Sequence, residues 1–240
     1  MIYDLDHGFC HVHIPRTAGV AILEALAAEC PNAVVRRWKG RHRRGWQIRS
    51  EVGRERWAGL YRFTVFRAPH EVIESDWRLT LDAIGRLNEH SREHLVEQWF
   101  DRLVRVREHG RFDRFVREEW LGEFSGIHAG GLWRTFCEDR SGRDLGVEPI
   151  LFERLGEAWG GVCDRIGIRR VELQRMNAAT RLEVKWPKRL RLLVDSLFAA
   201  DYERLSRLGK RGGRDEARKG QGGRSGEPGA AVAAGRDTER

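Results

Sequence analysis

The stretch FCHVHIPRTAGVAILEALAAEC, residues 9–30, constrains the fold more than any other part of the chain. Residues 9–14 form a short, partly β-branched run that Pro15 breaks, and residues 21–30 carry a helical pattern that Pro31 stops. Strand, tight loop and helix in that order open an α/β unit. The alternation returns downstream. An expected helix at 48–60 leads to a second strand, RFTVF at 62–66, and to a helix beginning at Pro69, where a fixed φ and a missing N–H suit the first helical position. Residues 81–121 follow a helical period, with Leu95, Trp99, Leu103, Phe112, Phe115 and Trp120 as a buried stripe. A third strand, PILF at 149–152, precedes helices expected at 158–166 and 186–208. The expectation is one α/β domain over residues 1–208, three-layered around a central parallel sheet.

From Gly209 the sequence becomes GKRGGRDEARKGQGGRSGEPGAAVAAGRDTER, with no aromatic residue and a single valine. Such a segment buries too little apolar surface to offset its ordering entropy, so a disordered Gly/Arg-rich tail is expected over 209–240. No apolar run approaches the ~18 residues a bilayer span needs, and MIYDLDHGFCHVHIP lacks the regions of a signal peptide. A cytoplasmic protein without a membrane partner is expected. The formal charge of +8 suits an anionic partner, but against 44 basic and 36 acidic residues it does not choose between nucleic acid and a phosphorylated small molecule. Cys10, Cys30, Cys137 and Cys163 are scattered without CxxC spacing, and His90 with His94 lack the HExxH glutamate, so the expectation is reduced cysteines and no metal.

The loop PRTAGVA, residues 15–21, carries the first chemistry. Ala18 and Gly19 are small, Arg16 and Thr17 offer side-chain donors, and the N–H groups of residues 17–20 sit where a helix begins. A loop of this composition lets several N–H groups converge on one anion at the positive end of the helix. It is not a Walker sequence, since the glycine spacing and the terminal Lys-Ser/Thr pair are absent. At the end of the second strand Arg67 occupies the usual ligand edge of an open α/β sheet, and Ser75, about two turns into the next helix, can share a phosphate with it.

These two segments resemble those of the sulfotransferases that use 3′-phosphoadenosine 5′-phosphosulfate, especially the carbohydrate-type branch. That family carries a strand ending in a segment like HIPKTGGTS, and here HIPRTAGVA stands at 13–21. It then carries RxPxxxxxS, matched by Arg67, Pro69 and Ser75 in FRAPHEVIES. ILFERL at 150–155, with Glu153, and Asn177 in QRMNAATR are similar to further recurring positions. The resemblance implies a P-loop nucleotide-binding-like sulfotransferase fold and 3′-phosphoadenosine 5′-phosphosulfate as co-substrate. It assigns the 5′-phosphosulfate to Arg16, Thr17, Ala18, Gly19 and Val20, and the 3′-phosphate to Arg67 and Ser75. The chain departs from the pattern where Arg16 replaces the family lysine, Ala18 a glycine, and Val20 and Ala21 a hydroxyl pair. Arginine keeps the charge but presents a larger planar fork.

Sulfuryl transfer to an alcohol needs a group to take the hydroxyl proton and positive charge near the departing oxygen. Arg16 supplies the charge. His42, in KGRHRRGWQI with Trp46 close behind, matches the loop in which the sugar-modifying branch carries its base, and is the expected catalytic histidine. His11 and His13 alternate with Val12 and Ile14, which turns both imidazoles to one side of the sheet and favours packing roles. The acceptor expected is a carbohydrate or other small metabolite; SGIHAGGLWR, residues 125–134, lies where relatives carry acceptor-side residues, but lacks their glutamine. Two rival readings stand beside this one. Val20, Ala21 and the missing lysine also suit a catalytically inactive nucleotide- or partner-binding module, and RRWKGRHRR at 36–44 with the basic tail suits nucleic-acid binding.

Overall fold

A computed structural model describes residues 1–240 except 38, 39, 41, 89, 96, 123–130, 175, 177–181 and 222–240. The chain opens with an unexpected hairpin. β1 (Ile2–Asp4) and β2 (Phe9–His11) pair antiparallel across a turn in which the Asp4 carboxylate accepts the N–H groups of Asp6 and His7. α1 (Gly19–Glu29) follows, then the two-residue strand β3 (Val34–Val35), α2 (Gly45–Val52) and α3 (Arg54–Gly59). The helix expected over 48–60 is thus two, because Gly53 sits at φ 92° between them, a backbone conformation that no α-helix continues through.

β4 (Tyr61–Phe66) and α4 (Pro69–Ile84) fall close to the sequence reading, with Pro69 in the first turn. The long helical period at 81–121 breaks into α5 (Ser91–His94), α6 (Glu97–His109), α7 (Phe112–Phe115) and a π-helical turn (Val116–Trp120). Gly110, at φ 59°, separates α6 from α7. Leu103, Phe115 and Trp120 are buried as expected, while Leu95, Trp99 and Phe112 are half-buried. α8 (Gly131–Cys137), β5 (Glu148–Leu151), α9 (Leu155–Ile166), α10 (Lys188–Leu197) and α11 (Ala199–Gln221) complete the described chain. α11 continues past Leu208, and residues 222–240 of the expected tail lie outside the described residues.

The sheet has the order β3-β1-β2-β4-β5. β2, β4 and β5 run parallel, but β1 is antiparallel to both β2 and β3. The expected all-parallel sheet is therefore corrected to a mixed one. The reason is local: residues 5–8 are too few for a crossover, so β1 can only double back. Alternation along the strands feeds a core on each face. Tyr3, Cys10, Val12 and Phe66 point into a cluster with Ile48, Val72, Ile73, Phe115 and Leu132. Ile2, Phe9, Phe63 and Val65 point the other way, against Ile22 and Leu26 of α1 and Trp159 and Val162 of α9. Each such fully buried large side chain contributes about 1.5–3 kcal/mol of transfer free energy. Because β2, β4 and β5 point the same way, the loops that follow them meet at one edge of the sheet. The connection from β2 leads out to β3 and that from β4 leads to β5, which opens a crevice between their carboxyl ends.

Candidate functional site

The loop after β2 takes a conformation that its composition alone would not dictate. Arg16 (φ 62°) and Ala18 (φ 61°) are the non-glycine residues with positive φ among the described residues, and they flank Thr17. Two such residues in one short loop store backbone strain, and they lead the chain into the start of α1. Thr17 is fully buried and donates its hydroxyl to the Ile14 carbonyl at 2.8 Å, which pins the loop from beneath. That hydroxyl is consequently committed to the fold, and Thr17 can offer a ligand only its N–H. Ala18 caps α1 with its backbone alone, and the first turn of α1 holds no acidic residue. Gly19 is required sterically: a Cβ there would lie 1.9 Å from Cδ2 of His13.

The loop lines a cleft of about 490 Å³ whose wall contains His13, Arg16 to Ala21, Arg67, Ser75 and Phe152. Arg16 and Ser75, 59 residues apart, meet directly: Nε and Nη2 of Arg16 donate to the Ser75 hydroxyl at 3.2 and 3.0 Å. The family resemblance assigns these side chains to different phosphates; in the fold they are bonded to each other. Arg67 leaves the end of β4 into the same cleft, with its guanidinium carbon 4.3 Å from the centre of the Phe152 ring. It donates through Nε to Glu71 at 2.9 Å, and that bond uses one of its five N–H donors.

His42 lies beside the loop. Its ring centroid is 4.5 Å from that of His13, and its Nδ1 is 3.4 Å from the His13 carbonyl oxygen. Trp46 goes elsewhere: it lines a second groove of about 460 Å³ with Arg49, Arg54 and Ser141, and the Arg140 guanidinium stacks 4.2 Å from its ring centre. His11 and His13 share a face, as their alternation implies, with ring centroids 5.8 Å apart. Both are buried. Burial, with the N-terminal ammonium adding a smaller push, lowers the His11 pKa to about 3, so this ring is neutral packing material rather than a proton carrier. Glu153 is exposed in the turn after β5. Asn177 and most of the 125–134 segment lie outside the described residues.

The apolar wall of the cleft carries no signal in the sequence. Phe152, Leu155 and Leu173 line it with Met176 and Gln174. These residues come from the end of β5, from α9 and from the segment after it, and only chain packing brings them to the loop at Arg16. Protein-family models, curated proteins and solved structures were compared with the chain, and none matches it.

Proposed function

We propose that the chain is a sulfotransferase that moves a sulfuryl group from 3′-phosphoadenosine 5′-phosphosulfate to a hydroxyl of a carbohydrate or other small metabolite, on a P-loop-like variant of the α/β fold. The observation that carries the reading is the junction of Arg16 with Ser75 beside Arg67, which unites the two resembling segments in one cleft. The cleft also fits such a co-substrate chemically. It has a strained loop at the start of α1 and two guanidinium groups for the anionic end, and an apolar wall with Phe152 for a planar base.

In this reading the N–H groups of residues 17–20 and the positive end of α1 bind the 5′-phosphosulfate. Arg16 stabilises the charge that grows on the bridging oxygen as the bond from sulfur to that oxygen breaks. Ser75 and Arg67 hold the 3′-phosphate, with Arg67 exchanging part of its contact with Glu71 for the ligand. His42 takes the proton of the acceptor hydroxyl while the acceptor oxygen bonds to sulfur. A hydrogen bond from its Nδ1 to the His13 carbonyl puts the lone pair on Nε2, the tautomer a base requires. Val20 and Ala21 bring methyl groups to the cleft where the family carries hydroxyls, so backbone N–H groups bear more of the binding here.

The test is release of adenosine 3′,5′-bisphosphate from 3′-phosphoadenosine 5′-phosphosulfate across a panel of sugars and small alcohols. Acceptor-dependent release is expected. Tight binding of the bisphosphate with no release for any acceptor would instead identify an inactive nucleotide-binding module.

A further inference from the structure

The opposite end of α1 gathers a second set of chemical groups, from residues that the proposed reaction does not use. Asp4 ends β1 and is 1% exposed. Its Oδ1 accepts the N–H groups of Asp6 and His7 at 2.7 and 3.0 Å, which fixes the plane of the carboxylate. Its Oδ2 is buried and has no hydrogen-bond partner among the described residues; Nδ1 of His7, 3.4 Å away, is likewise buried without one. Cys30 is the C-terminal cap of α1 and is also 1% exposed. One ligand atom from each of Asp4, His7 and Cys30 lies within 4.8 Å of the other two. Asp4 Oδ2 and His7 Nδ1 thus face each other as a pair without a hydrogen bond, with a thiol beside them, an arrangement costly to bury as it stands.

We propose that Asp4, His7 and Cys30 form a binding site for a single Zn²⁺ ion that clamps the β1–β2 turn to the C-terminal end of α1. The donor set selects the class of ion. One carboxylate oxygen, one imidazole nitrogen and one thiolate sulfur suit zinc, whereas Mg²⁺ and Ca²⁺ take oxygen. At bond lengths of about 2.0–2.3 Å a tetrahedral zinc ion spaces its ligands roughly 3.3–3.8 Å apart; Asp4 Oδ2 and His7 Nδ1 already stand 3.4 Å apart, and the three ligand atoms lie within 4.8 Å of one another. Water takes the fourth position, and the Cys30 thiol proton passes to solvent. The two N–H bonds to Oδ1 are the outer contacts that orient the Asp4 ligand. His7 retains 32% side-chain exposure, which gives the ion a way in.

The ion's proposed role is to brace the fold. The turn precedes β2 and the strained loop follows it, while the eleven residues of α1 span about 16 Å between the two. An ion at Cys30 therefore holds the helix by the end away from the cleft. The sequence expectation of no metal rested on spacing in the chain, and spacing does not reveal ligands contributed by a turn and by the far end of a helix.

The metal-stripped full-length protein, titrated with Zn²⁺ against a chromophoric chelator, should take up one equivalent and melt at a higher temperature. Co²⁺ should give a near-ultraviolet thiolate-to-metal band. Cys30→Ser should abolish that band, and both Cys30→Ser and His7→Ala should weaken Zn²⁺ binding at least about tenfold. His7 lies in a surface turn, so His7→Ala remains decisive if Cys30→Ser does not fold. Equal Zn²⁺ affinity in the wild type and His7→Ala, or a Co²⁺ spectrum without the thiolate band, would overturn the proposal and leave an ordinary Asp4–His7 pair beside a buried thiol.

Discussion

The two ends of α1 make a natural comparison. At its start the chain presents N–H groups, a strained loop and two arginines, and at its finish a carboxylate, an imidazole and a thiol. The helix macrodipole favours this polarity, since its N-terminus attracts anions and its C-terminus cations. The ends differ in how they are built. The anion end depends on residues from β4, α4 and the segment after α9 that meet only in the finished fold. The other end is assembled by one hairpin and one helix that are close in sequence.

The largest effect that would sharpen this contrast belongs to His42, which touches the anion end and not the other. His42→Ala should lower the rate of sulfuryl transfer by roughly 10²–10⁴ while leaving bisphosphate affinity nearly intact. A normal rate with an acceptor that the wild type turns over would return His42 to the surface of the basic loop. Next comes Arg16→Ala, expected to cost about 10²–10³ in rate, because in the proposed reaction its charge acts mainly on the oxygen that departs. Arg16→Lys should restore most of that loss. Undiminished turnover in Arg16→Ala would show that the loop has been assigned wrongly.

Acidification tests the strand that joins the two ends. His11 is neutral in the fold, with its pKa lowered from 6.5 to about 3 by burial, and it stacks between His13 and Phe63. Between those values the unfolded chain binds the extra proton. This contribution to stability is therefore complete above pH ~6.5 and is lost as the pH falls toward 3, on the order of a few kcal/mol. Denaturant melts across that window should show the loss, and His11→Phe should flatten it. An unchanged acid limb in His11→Phe would assign the loss to other groups. A smaller effect is expected from Gly19→Ala, where the added methyl must displace the His13 ring. It should cost about 1–3 kcal/mol of stability and weaken anion binding without altering Zn²⁺ uptake at Cys30. Loss of both functions together would mean that the ends of α1 are not independent.

Much of what lines the cleft at the start of α1 was legible because its residues travel in short segments. Arg16 and Gly19 are fixed by a strand-to-helix turn, and Arg67, Pro69 and Ser75 by a strand end and the helix after it. Those local rules survive into the fold, as the start of α4 at Pro69 illustrates. What escaped was either too short or too distant. β1 and β3 have three and two residues, below the length at which alternation identifies a strand, and the missing β1 is why the sheet was expected to be wholly parallel. The helical period at 81–121 was real, but Gly110 interrupts the backbone where the apolar spacing does not. Phe152, Leu173 and Met176 reach the cleft through tertiary packing, for which neighbouring residues give no signal.

The central claim is that Arg16, Arg67 and Ser75 form one site that reads two phosphates. It is tested most directly by calorimetry with adenosine 3′,5′-bisphosphate and, separately, with adenosine 5′-monophosphate. One bisphosphate should bind per chain, at least about tenfold more tightly than the monophosphate, since charge-assisted hydrogen bonds to the 3′-phosphate are worth about 1.5–3 kcal/mol each. Arg67→Ala should erase most of that difference. Equal affinity for the two nucleotides, or binding of neither, would contradict the account.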